Sequence, residues 1–459
     1  MYLMKNIADV VICGAGIAGI SSAYHLAVHF GVKNIILIDE RPPLSLTSDK
    51  STECYRNWWP GPDNAMVALM NRSIDLMERL AIESGNIFNL NKRGYLYLTA
   101  NSDHLPAFVN AASIPPKLGA GALRIYQGNS DEPEYVPINF DGYTNQPDGA
   151  DLFLSQELIK QYFPFLSPRV VAALHVRRAG WFSAQQLGTY LLEQSRFKGV
   201  QFFSAKVTGV RLSKHRVNEI VLSDGSYIVT KHFVIAAGPL LSEVAKLLGI
   251  VLPVYTELHM KAAIRDFKKI IPREAPLLIW SDPQFLPWSD EERELLSEVQ
   301  EFSWLLNEMP AGVHTRPEGG LDSDVLLLLW EYHTKVMEPV FPPPLDNQYP
   351  ELVLRGLATM IPDLTTYINK IPRPIMDGGY YTRTRENRPI IGPLPVEGVY
   401  VIGALSGFGL MAACATGELL AAHLTQNPLP SFASAFTLDR YSNPDYIKTI
   451  ENLSDTGQL

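Results

Sequence analysis

Residues 8–12 form a short apolar run that leads straight into Gly14-Ala15-Gly16-Ile17-Ala18-Gly19 and an apolar stretch reaching Ala27. A buried strand, glycines at this spacing and a helix, in that order, make the first βα turn of a dinucleotide-binding fold. Gly14 permits the tight turn, Gly16 lets backbone approach a pyrophosphate, and Gly19 allows close packing of helix on strand. The free amides at the helix start, around Ala15 to Ile17, face the phosphates, whose charge the helix dipole favours. A second apolar run over residues 34–38 ends in Asp39-Glu40 and Arg41, where this fold places the carboxylate that accepts hydrogen bonds from an adenosine ribose. Either acid can serve, with Asp39 the first choice.

A chain of 459 residues exceeds one ordinary core, so two interwoven domains are expected. With 39 Lys and Arg against 48 Asp and Glu, the net charge of −9 excludes the basic footprint of a nucleic-acid binder. Residues 1–9 lack a charged segment followed by a long apolar one, and no apolar stretch reaches membrane-spanning length. The expectation is a soluble, cytoplasmic protein without a membrane span. Cys13, Cys54 and Cys414 lie far apart without metal-ligand spacing, which argues against disulfides and zinc. Cys13 reads as core filler; Cys54 is the cysteine worth following.

Beyond the first unit comes a polar loop over 42–52, then a helix with Met66, Leu69, Met70, Ser73, Ile74, Met77 and Leu80 at helical spacing and Asp63 as cap. Residues 93–99 alternate as a strand does. Proline, glycine, asparagine and aspartate crowd 101–149, which reads as a loop-rich surface insertion. Further strands are expected over 206–212, 219–222, 226–229, 233–236, 252–264, 325–332, 379–383 and 399–402. Helices are expected over 185–194, after Gly238, within the charged segment 290–306, and over 350–360 and 409–424.

Three separated segments resemble one family. They are the N-terminal glycine turn, the strand end Val234-Ile235-Ala236-Ala237-Gly238, and Val401-Ile402-Gly403-Ala404-Leu405-Ser406-Gly407-Phe408-Gly409 followed by Ala415-Thr416-Gly417-Glu418-Leu419. Together they are similar to the flavin-dependent amine oxidoreductases of the D-amino acid oxidase, glycine oxidase, sarcosine oxidase and dimethylglycine dehydrogenase type. The resemblance implies an α/β fold, a Rossmann-like FAD-binding domain (1–92, 175–252 and 386–459) interwoven with a mixed-sheet α+β substrate domain (93–174 and 253–385). It implies FAD rather than NAD, in keeping with a second glycine-rich turn that can cradle the flavin end.

Residue by residue, the resemblance assigns Gly14, Gly16 and Gly19 to the pyrophosphate loop, Asp39 or Glu40 to the ribose, and Val207 to adenine. It assigns Ser51, Thr52 and Arg56 to the flavin loop, and Ser406 to Gly409 to the flavin ring, where an arginine would stabilise negative charge. The departures matter equally. Sarcosine oxidases attach FAD through a cysteine that corresponds to the stretch 378–382, which has none, so binding there should be non-covalent. Phe408 stands where the family has a histidine, closing another covalent route. Their oxygen-activating lysine aligns near Leu329, which raises the prospect of an electron acceptor other than oxygen, including a protein.

The chemistry so implied is hydride transfer from a carbon bearing an amine to flavin, giving an imine. A small amine or amino acid is the expected substrate. Trp330 and Tyr332 should share one strand face with His333 opposite, and Tyr381 and Arg383 should share another. Tyr332 and Tyr381 could bracket the amine, and Arg316 or Arg383 could hold a carboxylate. Arg56, Tyr332, Tyr381 and Arg383 are thus the candidate catalytic residues. The alternatives are a dehydrogenase serving a protein or quinone, and a non-catalytic flavin-binding assembly protein.

Overall fold

The computed structural model describes residues 6–140, 142–332 and 334–452. Val10, Val11 and Ile12 are fully buried, as a strand covered on both faces requires. The strand Asn6–Cys13 pairs in parallel with Ile35–Asp39 on one side and Tyr227–Ile235 on the other. These three strands are the centre of an eight-stranded sheet that also takes in Gln201–Ser204, Val207–Ser213, Arg216–Leu222, Ile390–Pro393 and Val399–Gly403. The two strands expected over 226–229 and 233–236 are one, Tyr227–Ile235, which has Arg216–Leu222 beside its start and Val399–Gly403 beside its end.

A second sheet has nine strands, in the order Ile375–Arg383, Tyr255–Arg265, Val325–Leu329, His314–Glu318, Leu277–Trp280, Tyr95–Thr99, Ala172–Val176, Ala150–Phe153 and Leu123–Tyr126. It is mixed, with most neighbours antiparallel but Leu277–Trp280 parallel to Tyr95–Thr99 and Leu123–Tyr126 parallel to Ala150–Phe153. The first sheet therefore draws on residues 6–39, 201–235 and 390–403, and the second on 95–176 and 255–383. The chain crosses between them repeatedly.

Helices Ile17–Tyr24, Ala65–Ser84 and Gly409–Thr425 pack together over the first sheet, joined by Ala184–Phe197. Helix Tyr349–Met360 covers the second sheet. Asp63 lies one residue before the N-cap of its helix, where its Oδ1 accepts the Ala65 amide at 3.0 Å. Among the described residues, one helical segment, Ser406–Thr425, is long and apolar enough to cross a membrane, and 78% of its apolar window is buried inside this fold.

The insertion needs correction. Residues 101–149 carry helices Leu105–Ala112 and Ile114–Lys117 and the edge strand Leu123–Tyr126. Their prolines stand at helix starts, where the missing N–H costs nothing. The polar loop over 42–52 likewise contains a turn of helix, Thr47–Lys50.

Candidate active site

Gly14 has φ +112°, and a Cβ there would lie 2.3 Å from the Ala236 carbonyl oxygen. A Cβ on Gly19 would lie 1.9 Å from the Gly14 carbonyl. The turn, the helix and the neighbouring strand end are thus packed backbone to backbone, which only glycine allows. Gly16 caps the helix Ile17–Tyr24. From this turn a cleft of about 350 Å³ runs between the strand ends. Gly14, Gly16, Ile17, Asp39, Glu40, Arg41, Ser51, Val207, Ala237, Gly238, Ser406, Gly407 and Gly409 all line it.

Ala15 and Gly19 do not line the cleft; they shape it. The Ala15 amide donates to Asp39 Oδ2 at 2.8 Å, and the Arg41 amide to Asp39 Oδ1 at 2.9 Å. Asp39 therefore ties the second strand to the glycine turn, while the exposed Glu40 stands at the cleft. Ser48, which the sequence reading passed over, accepts the Ile17 amide at 3.0 Å through Oγ. The signal was there in the run of hydroxyl residues from Ser45 to Thr52.

At the far end of the cleft the strand Val399–Gly403 turns into helix Gly409–Thr425 through Ala404 at φ +54° and Ser406 at φ +48°. Left-handed backbone at two non-glycine residues costs about 1–3 kcal/mol each and clusters where a ligand is clamped. Gly238, φ +53°, has open space where a side chain would be, so a ligand can lie against its backbone. A glycine turn with a helix start at one end and a second helix start at the other suits a long, anionic dinucleotide. These residues fit FAD.

A smaller cavity of about 50 Å³ adjoins the cleft, and Tyr381 and Gly407 line both. Its walls include Thr52, Cys54, Arg56, Trp59, Tyr95, His259, His314, Leu329, Glu331 and Phe408. Pairing of Cys54–Arg56 with Ala179–Trp181 sets Arg56 in place. The Arg56 Nε donates to the Trp58 carbonyl at 3.2 Å, and the guanidinium lies 4.7 Å from the Trp59 ring centroid and 5.6 Å from that of Tyr95.

Strands Tyr255–Arg265 and Ile375–Arg383 pair so that His259 faces Gly379 and Glu257 faces Tyr381. The His259 ring stacks on Tyr381 with centroids 3.9 Å apart. His259 Nδ1 is 3.1 Å from Glu331 Oε1, and Nε2 is 3.4 Å from Glu257 Oε2. Burial alone would depress this imidazolium, but Glu331 and Glu257 outweigh it and raise the pKa above the ordinary 6.5. His314 is the opposite case. Its Nδ1 lies 2.8 Å from the Gly312 carbonyl, which can only accept, so Nε2 is the unprotonated nitrogen. Burial lowers its pKa and keeps the ring neutral. No motif announced His259, His314 or Glu331: strand register brings His259 and His314 together, and Glu331 follows just past the end of Val325–Leu329.

The expectations for Tyr332, Arg383 and Arg316 need correction. The strand stops at Leu329, so alternation does not carry Tyr332 onto the site. Tyr332 stacks between Trp304 and Tyr349, at 6.1 and 5.9 Å, in the core beneath the helix Tyr349–Met360. Arg383 lies behind the cavity, 2.8 Å from Glu257. Arg316 is fully buried, donating to the Thr52 carbonyl from Nε at 3.1 Å and Nη2 at 2.8 Å and pairing with Glu318 at 2.6 Å. His333 lies outside the described residues. Thr52 and Phe408 line the small cavity rather than the cleft. The Cys54 thiol donates to the Thr52 carbonyl at 3.2 Å, and burial pushes its pKa up.

A two-ended cleft on a Rossmann-like sheet, meeting a small polar cavity under a second mixed sheet, defines a dinucleotide-dependent oxidoreductase. The model of the FAD dependent oxidoreductase (DAO) family matches residues 9–423, and the chain belongs to that family. It is 24% identical to the mitochondrial dimethylglycine dehydrogenase of Rattus norvegicus over 60% of this chain and 29% of that one. The Homo sapiens protein is 23% identical over 67% of this chain and 33% of its own length. The chain thus spans about a third of these relatives. Among solved structures it superposes on L-proline dehydrogenase from P. horikoshii with a TM-score of 0.72 at 19% identity, covering 96% of this chain and 99% of that one. For glycine oxidase from Geobacillus kaustophilus the TM-score is 0.71 at 15% identity, with 95% and 99% covered. The protein is an FAD-dependent oxidoreductase.

Proposed function

We propose that the chain oxidises the C–N bond of an amine or amino acid to an imine. One observation carries this reading: the small cavity adjoins the cofactor cleft at Tyr381 and Gly407, so a molecule held there would lie beside whatever part of a bound FAD reaches those residues. FAD, when bound, supplies the acceptor for the hydride leaving the carbon. The rest falls to the chain. Such an amine must lose its proton before its carbon gives up a hydride, and His314, neutral with Nε2 as acceptor, can take that proton. Arg56 is placed to hold a carboxylate, and Tyr381, backed by His259, forms one wall. The strand Ile375–Arg383 contains no cysteine, which supports non-covalent FAD. Glycine oxidase and iminodiacetate oxidase among the structural neighbours are in keeping with a small amino-acid substrate.

The test is an anaerobic titration of the yellow protein with N-methyl and primary amino acids, followed by acid precipitation. Bleaching by one substrate class, with FAD released into the supernatant, is expected; colour stable against every amine would remove the reading. Leu329 favours a dehydrogenase over an oxidase. It lines the cavity, and by the resemblance to sarcosine oxidases their oxygen-activating lysine falls near it. Slow reoxidation in air and fast reoxidation by a quinone or an electron-transfer protein would establish that version.

A further inference from the structure

A chamber of about 390 Å³ shares Arg56 and Trp59 as walls with the inner cavity, which measures only about 50 Å³. Its other walls are largely apolar and aromatic, with Trp58, Met66, Tyr97, Phe108, Leu174 and Tyr446 among them. An apolar space of this size with a few polar groups converging on it is the usual form of a small-molecule site. Which molecule it takes is decided by the polar atoms that stay open.

The side-chain acceptors of Glu386 and Asn387 are closed. Glu386 Oε2 and Asn387 Oδ1 are occluded within the protein. Glu386 Oε1 is taken by Arg440 Nε at 3.1 Å and Nη2 at 2.8 Å, by the Tyr441 hydroxyl at 2.6 Å and by the Tyr446 hydroxyl at 3.0 Å. The donors are open. Arg388 is more than nine-tenths buried, at 5% exposure, and among the described residues only its Nη2 is engaged by a side chain, Asp63 at 2.7 Å. Its Nε and Nη1 have no such partner, yet neither is occluded, so their free surface belongs to the chamber that Arg388 lines. Trp58 Nε1 and the Tyr97 hydroxyl are likewise unoccluded on the same walls.

The charges point the same way. Around the chamber the three guanidinium groups of Arg56, Arg388 and Arg440 meet the two carboxylates of Asp63 and Glu386, an excess of one positive charge. Glu386 is matched by Arg440 deep in the fold, whereas the Asp63 side chain is 53% exposed and its charge is screened by water. A ligand complementary to this space brings an anion that accepts hydrogen bonds and a flat apolar body that lies against aromatic rings.

We infer that the chamber is a binding site for an aromatic carboxylate, separate from the cofactor cleft and from the inner cavity, with the carboxylate on Arg388 and the ring among Trp58, Tyr97, Phe108 and Tyr446. Arg388 lines neither of the other two spaces, so the inference does not depend on the proposed amine oxidation.

The experiment compares 2-naphthoate with 2-acetylnaphthalene, in which a methyl group replaces one carboxylate oxygen, by equilibrium dialysis against the FAD-loaded protein. Naphthoate should bind at least about tenfold more tightly than the ketone, the difference made by hydrogen bonds to a charged partner. Arg388→Met should bring naphthoate down to the affinity of the ketone and leave the ketone unchanged. Naphthoate that does not bind the native chain, equal affinity for the two compounds, or a preference for naphthoate that survives Arg388→Met would each overturn the inference. The first two results need no substitution, so they decide against it whether or not the variant folds.

Discussion

Arg316 and His259 show how differently two buried basic side chains act. Arg316 donates twice to the Thr52 carbonyl and lies 4.9 Å from the Trp181 ring centroid, so it fixes the backbone that carries the cavity's first wall. Arg316→Met would leave that carbonyl without its donors, at a cost of about 1–3 kcal/mol. The expected outcome is a lower denaturation midpoint with substrate affinity little changed. A large rise in KM at unchanged stability would instead make Arg316 a substrate clamp. His259 has its pKa raised in the folded state by Glu331 and Glu257 against the opposing effect of burial. Its contribution to stability is therefore complete below pH 6.5 and is lost as pH climbs through the raised value. Denaturant midpoints measured between about pH 6 and 9 should fall for the native chain and stay flatter for His259→Gln. A matching alkaline loss in the variant would show that another group titrates there.

Among the elements, the crossing of helices Ile17–Tyr24 and Gly409–Thr425 is a tight constraint. A Cβ on Gly417 would stand 2.3 Å from Ser21 Oγ and 2.8 Å from the Ser21 carbonyl carbon. Ser21 Oγ in turn donates to the Ala413 carbonyl at 2.7 Å. Gly417→Ala should cost about 1–3 kcal/mol by forcing the helices apart. Because both helices begin at the cofactor cleft, FAD should also be lost on gel filtration; full retention would mean that the crossing relaxes without moving the glycine turn. This element was readable beforehand because Gly14, Gly16 and Gly19 act within a few residues of one another. The same holds for the amphipathic helix Ala65–Ser84 and the apolar run 399–403. Strands Leu277–Trp280 and His314–Glu318 went unread: they are short, the second contains Pro317, and both owe their existence to neighbours far away in sequence. Tyr332 was misplaced for a related reason. Alternation extrapolated past Leu329 takes no account of Trp330, whose amide donates to the Tyr349 hydroxyl at 2.8 Å and turns the chain out of the sheet. His259 lies on the strand Tyr255–Arg265 and Glu331 two residues past the end of Val325–Leu329, and only the pairing of these two strands brings them to one cavity.

For the molecule as a whole, the cofactor cleft is the seam along which distant segments are held. Adding FAD at about 100 times its Kd should raise the stability of the flavin-free protein by about 2.7 kcal/mol, read from the shift in thermal melting. No shift would mean that FAD does not bind the folded protein in preference to the unfolded chain. The pairing of Tyr227–Ile235 with Val399–Gly403, and the seating of Gly409–Thr425 on Ile17–Tyr24, has a consequence for synthesis. The first strand leaves the ribosome about 400 residues before its covering helix, a delay of roughly 20–80 s at ordinary elongation rates. Through that interval the glycine turn exists without its lid of helix. Flavin capture is accordingly one of the last events in the birth of this enzyme, and a nascent chain stalled before residue 409 should emerge colourless.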